Sequence, residues 1–105
     1  MLKFIWEDKA VQWLEARDRY TRNTIRDEFR LDPQKEAVEL DPATHDFLTP
    51  VADNRFQVYW RFDATTQSAI VRGVVSLTSF NPASPLEPTK LQQLKEYVQH
   101  TVEAG

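Results

Sequence analysis

At 105 residues, 41% of them hydrophobic and 28% charged, the chain has the size and balance of one folded domain, residues 1-105, with a modest core. It contains no cysteine, which excludes disulfides, thiolate zinc sites and cysteine nucleophiles. A net charge of −3 gives no long-range pull toward nucleic acid, so only a local basic face would serve there, and no apolar run nears the roughly 20 residues that cross a bilayer.

Met1-Leu2-Lys3-Phe4 lacks the apolar core and cleavage site of a secretory signal, so a cytoplasmic protein with no membrane partner is expected. Leu2 to Trp6 alternates, with Leu2, Phe4 and Trp6 on one side, and reads as a short first strand. Asp8 is placed to cap a helix with Val11, Trp13 and Leu14 as its apolar positions. Asp18-Arg19 marks a bend, and a second helix is predicted from about Tyr20 to Leu31 with Tyr20, Ile25 and Phe29 inward; one long helix through Arg17 is the alternative. Asp32-Pro33 ends it, because proline disfavours helical geometry in the residue before it.

Charge is unevenly spread. Arg19, Arg22, Arg26 and Arg30 stand three or four apart, which puts them along one face of the second helix. The simplest reading is a solvated face with local pairs such as Arg22 or Arg30 with Asp27; the sharper one is a docking stripe for an acidic partner or for RNA phosphates. Acids dominate the next stretch, with Asp32, Glu36, Glu39, Asp41 and Asp46 against Lys35 alone.

Gln34 to Leu40 reads equally as a helical turn or an extended piece, and Asp41-Pro42-Ala43-Thr44 as a turn. His45 to Val51 is a strand whose Pro50 cannot donate a ladder bond, so it belongs at an edge or a bulge. Ala52-Asp53-Asn54 then makes a hairpin turn into the clearest element of the chain. From Arg55 to Asp63, Phe56, Val58, Trp60 and Phe62 alternate with Arg55, Gln57, Tyr59, Arg61 and Asp63, the pattern of a strand with one buried and one polar face. Ile70 to Thr78 is its antiparallel neighbour, with Val71, Gly73, Val75 and Leu77 on one face and Ile70, Arg72, Val74, Ser76 and Thr78 on the other. Paired through their apolar faces, the two strands gather Arg55, Gln57, Tyr59, Arg61, Arg72 and Ser76 on one sheet surface. Gly73 marks a bulge or a close backbone approach.

Ser79 to Pro88 holds three prolines and reads as a stiff connector. Thr89 starts a last helix, with Gln92 completing a capping box and Leu91, Leu94, Val98 and Val102 as the stripe that packs on the sheet, Tyr97 beside it. The fold class is therefore α+β: an antiparallel sheet, an N-terminal strand and helical hairpin, and a C-terminal helix, with the helices against one sheet face.

This order, together with Asp53-Asn54-Arg55-Phe56-Gln57-Val58-Tyr59-Trp60-Arg61-Phe62-Asp63, resembles the RelE/ParE superfamily of small bacterial toxins. Phe4-Ile5-Trp6-Glu7-Asp8-Lys9-Ala10 is similar to the family's first strand and the start of its helix, and the resemblance covers most of residues 2 to 78. It implies the toxin-type component of a toxin–antitoxin pair, with an antitoxin lying along the sheet edge or the Arg19 to Arg30 helix face, and ribosome-bound mRNA as the substrate of an active member. Arg61 matches the second arginine of the family's strand motif. Gln57 stands where an important arginine usually stands, and Arg55 substitutes from two residues earlier. The basic residues that follow the family's last strand correspond here to Ser79-Phe80-Asn81, which supply no cation and no tyrosine.

Cutting RNA through its 2′-hydroxyl needs a base, an acid and positive charge for the transition state. Arg55, Arg61 and Arg72 are the candidates for the charge, and Tyr59 or His45 for the proton. The competing reading pairs these arginines with Asp53, Asp63 or acids of the 32 to 46 segment, leaving a non-catalytic interaction domain on the same scaffold. Asp41 and His45 are too few to make a metal site, and two glycines exclude a glycine-rich phosphate loop, so no cofactor or metal is expected.

Overall fold

The computed structural model describes residues 2–76 and 87–104. The elements are β1 (Lys3–Trp6), α1 (Asp8–Glu15), α2 (Arg19–Leu31), β2 (Val38–Asp41), β3 (Asp46–Val51), β4 (Phe56–Asp63), β5 (Ser68–Val75) and α3 (Pro88–Ala104). The strands form one mixed sheet in the order β1-β5-β4-β3-β2. β2 to β5 are antiparallel neighbours, and β1 joins β5 in parallel, so the fold is α+β with a mostly antiparallel sheet. The predicted connector from Ser79 to Pro88, and the face assignments of Leu77 and Thr78, fall on residues outside those described, apart from Glu87 and Pro88.

The β3–β4 hairpin follows from its turn. Ala52, Asp53 and Asn54 all adopt positive φ, Arg55 N–H donates to the Ala52 carbonyl at 3.1 Å, and Val51 then faces Phe56. Pro50 does not make β3 an edge strand, since β2 flanks it. β2 pairs only as far as Leu48, so Pro50 lies where no neighbour asks for its missing N–H. Two helix starts also differ from expectation. Glu7, not Asp8, is the N-cap of α1, because its own N–H is still bonded to Val71 on β5 while its carbonyl accepts from Val11. Thr89 makes no capping box, since α3 begins at Pro88 and Gln92 reaches forward to Glu96. Asp18 does cap α2, accepting from Thr21.

Phe56, Val58, Trp60 and Phe62 face α1 and α2 in a core built on rings. Phe29 lies edge-on to Phe4, Trp6 and Trp60 at 5.8, 6.0 and 5.6 Å, and Phe47 stacks on Trp60 at 4.9 Å. The indole of Trp60 donates to Thr49, whose hydroxyl donates to the Pro33 carbonyl, so no polar atom of that pair is stranded. Tyr20 was expected inward and is 74% exposed. It stands nine residues before Phe29, half a revolution away at 100° per residue.

The opposite sheet face is covered as well. Leu91, Leu94, Val98 and Val102 of α3 pack on Leu40, Leu48, Tyr59 and Val75. Helices therefore flank both faces rather than one, and the face read as polar is largely closed, with Gln57 and Tyr59 buried. The register shift between Tyr59 and Trp60 explains the sorting of β5. Tyr59 faces Gly73 and Trp60 faces Val71, leaving Arg72 as the extra residue of a β-bulge. Beyond it the alternation inverts: Ala69, Val71 and Val74 enter the ring-lined core, while Val75 joins the α3 side. Val71 thus does not share a face with Gly73 and Val75. Gly73 is where α3 comes closest, and a Cβ there would lie 2.5 Å from a methyl of Val102.

Candidate functional site

The bulge and the hairpin register bring three of the four residues expected to act on RNA to the α3 side of the sheet. Asp46 sits opposite Arg61 across β3 and β4, and Tyr59 stands two residues before it on the same face. The Tyr59 hydroxyl donates to Asp46 Oδ2 at 3.0 Å. Arg61 closes on the same carboxylate, Nε to Oδ1 at 2.7 Å and Nη2 to Oδ2 at 3.4 Å. Gln99 of α3 donates to the Tyr59 oxygen at 3.4 Å. Arg72, aimed to this side by the bulge, holds Glu7 at 3.4 Å and lies 5.9 Å from the centre of the Tyr59 ring.

This is an electrostatically closed arrangement. Burial pushes the Tyr59 phenol above its ordinary range, and the hydrogen bond to Asp46 holds the Arg61 proton more firmly. Asp46 is fully buried and accepts three hydrogen bonds from two side chains. A cavity of about 260 Å³ opens beside the cluster, lined among others by Glu7, Tyr59, Arg72, Gln99 and Glu103. Its charge is mixed, so it offers a phosphate no net attraction. α3 is pinned at its middle and its C-terminal end: Lys95 pairs with Asp41, and Lys9 donates to the carbonyls of Val102 and Glu103.

The remaining expected residues lie elsewhere. Arg55 is not in the strand but in the hairpin turn, its Nε bonded to the Ala52 carbonyl at 3.0 Å and its guanidinium near the Phe56 ring. Gln57 shares the Tyr59 face but is fully buried, donating to Asn54 at 2.6 Å. His45 is exposed in the β2–β3 turn. Arg19, Arg22, Arg26 and Arg30 lie on α2, across the sheet from Arg61 and Arg72. Asp27 forms no ion pair with Arg22 or Arg30, and none of the four arginines is ion-paired among the described residues. Arg26 and Arg30 line a cleft of about 410 Å³ with Trp6, Val11, Asn23 and Asp27.

Sequence reasoning offered the acids of the 32 to 46 segment as partners for the strand arginines without singling out Asp46, and Arg61 takes its partner from that segment. Its role is arithmetic: a turn that sets Val51 against Phe56 sets position 46 against position 61. Glu7 and Gln99 had no such signal, because their contacts depend on the bulge and on the path of α3. No family model matches the chain, and neither the curated proteins nor the solved structures provide a match.

Proposed function

We propose that the chain is a non-catalytic, RelE/ParE-like protein-interaction domain, the partner-binding member of a toxin–antitoxin type of pair rather than an mRNA endonuclease. The observation that supports this most is the double bond between Arg61 and buried Asp46. Fixed cations stabilise a phosphoryl transition state only when their donors are free to meet it. Here the Arg61 fork is turned onto a carboxylate, Tyr59 is a buried neutral donor to that carboxylate, and α3 lies over Tyr59. The cluster reads as a buried polar network that fixes α3 on the sheet.

The endonuclease reading retains one supporting observation, the convergence of Tyr59, Arg61 and Arg72 on one side. A translating extract decides between the two. The purified protein is expected to leave mRNA intact, and its expression to leave growth unchanged. Ribosome-dependent cleavage by the wild-type chain, lost in Arg61→Ala, would overturn the proposal.

A further inference from the structure

The interaction reading leaves the partner unspecified, and the far side of the molecule supplies its chemistry. β1 ends the sheet. Lys3 N–H donates to Gln67 and Glu7 N–H to Val71, so alternate residues of β1 turn their backbone toward β5. In a parallel ladder a residue sends its N–H and C=O to the same side. Phe4 and Trp6 therefore present both groups outward, and among the described residues no strand pairs with that edge. The strand carries one charge, Lys3, and Ile5 is 47% exposed. An unpaired edge of this kind is a template for another strand.

Beside this edge lies the cleft between α1 and α2. Its wall includes Arg26 and Arg30, with Asp27 as the one acid, and Arg19 and Arg22 continue the stripe along α2. Trp6 also lines it, and the indole N–H of Trp6 is buried with no acceptor among the described residues. A buried donor left unpaired is costly, and an incoming carbonyl or carboxylate would satisfy it.

We propose that the outer edge of β1 and the Arg26–Arg30 flank of α2 form one docking surface for an acidic, extended segment of a partner protein. The segment adds as a sixth strand beside β1, places carboxylates on Arg26 and Arg30, and offers an acceptor to Trp6. Strand addition gives affinity through the main chain, and the arginines select the side chains. The free edge spans four residues, roughly 13 Å at 3.3 Å per residue, so the ladder alone is short and the charge pairs must carry much of the selectivity. RNA would meet the arginines but leave the Phe4 and Trp6 backbone unused, against a chain whose net charge is −3.

The test uses the full chain and two synthetic peptides, one alternating glutamate with valine, the other lysine with valine. The acidic peptide is expected to bind, to shift the Trp6 indole resonance and to protect the Phe4 and Trp6 amides from exchange. The double variant Arg26→Glu, Arg30→Glu, at a half-buried and an exposed position of α2, is expected to weaken that binding at least about tenfold and to favour the basic peptide. Trp6→Phe keeps the ring packing and is expected to weaken binding less. The proposal is overturned by no binding of the acidic peptide, by binding indifferent to the charge reversal, or by shifts on β2 and α3 instead of β1. It is also overturned if single-stranded RNA oligonucleotide binds the arginines and excludes the peptide without touching the β1 amides. Messenger RNA cleavage would remove the non-catalytic reading while leaving this peptide result standing, so the two fail separately.

Discussion

The two faces of the sheet are held by different physics. Against α1 and α2, the sheet presents rings and aliphatic side chains, and Trp60, Phe29, Leu14 and Ile25 are wholly buried there. Against α3, fewer apolar side chains meet, and the contact is completed by Lys95 on Asp41, Gln99 on Tyr59 and Lys9 on the end of the helix. Buried apolar area supplies most of the stability of a fold, whereas a hydrogen bond adds little net energy but much directional restraint. The first face therefore makes the domain, and the second positions one helix on it. The candidate site lies on the second, and the contrast predicts that α3 opens locally before the ring core does.

The largest effect should come from the ring core. Trp60→Ala is expected to cost about 3–5 kcal/mol and to unfold the whole chain in one transition. Val98→Ala, an equally buried position on the α3 side, is expected to cost about 2 kcal/mol. Amide exchange during denaturant titration checks the contrast: α3 amides open before β4 amides in the second variant and together with them in the first. Equal losses from both would erase the distinction between the faces.

Gly73 sharpens it. A Cβ there meets Val102 at 2.5 Å on one atom and 2.9 Å on another, so Gly73→Ala should overpack the α3 contact at a cost of about 1–3 kcal/mol. Val102→Ala removes the methyls in question. The double variant should recover part of the loss, a coupling that a double-mutant cycle measures directly. Additive losses would mean that α3 tolerates a wider gap than the packing indicates.

The Asp46 cluster comes next. Asp46→Ala leaves the Tyr59 hydroxyl without its acceptor and Arg61 without its partner, and should cost about 2 kcal/mol, softened because the Arg61 side chain is 37% exposed. Tyr59→Phe removes one donor and should cost about 1 kcal/mol. Urea midpoints give both. A stability gain on removing Asp46, with RNA cleavage appearing, would reassign the carboxylate from scaffold to brake.

Much of this architecture was legible in the chain, and the boundary is physical. The β4 alternation is local, so Phe56 to Phe62 sorted correctly; so did Ile25 and Phe29 on α2 and the Leu91 to Val102 stripe on α3. A stripe says that a helix packs, not on which face, so both-sided cover was out of reach. The bulge at Arg72 was equally hidden, since one extra residue breaks a period of two without altering composition. Gly73 signalled it, and no rule said which neighbour would turn. Of the candidate site, the Tyr59–Arg61 side of β4 was readable, while Glu7 and Gln99 waited on the tertiary path.

The smallest effect is the pH response of α3, and its sign follows from the groups that tie it down. The Lys95 hydrogen bond, helped by the Ala43 amide, lowers the Asp41 carboxyl below its ordinary range. Its contribution is therefore present above the unfolded value of about 3.9 and lost as pH falls through the depressed folded value. Lys95, held protonated first by the hydrogen bond it donates to Asp41, and Tyr59, pushed up first by burial, are both raised. Their contributions are full below the unfolded values, about 10.4 and 10, and are lost as pH rises through the folded ones. α3 should thus loosen at both extremes while the ring core, which holds no titrating pair, stays closed. Exchange of α3 amides against β4 amides across that range reads the difference. Lys95→Met should flatten the acid limb and part of the alkaline one, and Tyr59→Phe the rest of the alkaline limb. If helix and sheet lose protection together at every pH, the polar ties are ornaments on a single cooperative unit, and the separation of the two faces has no thermodynamic content.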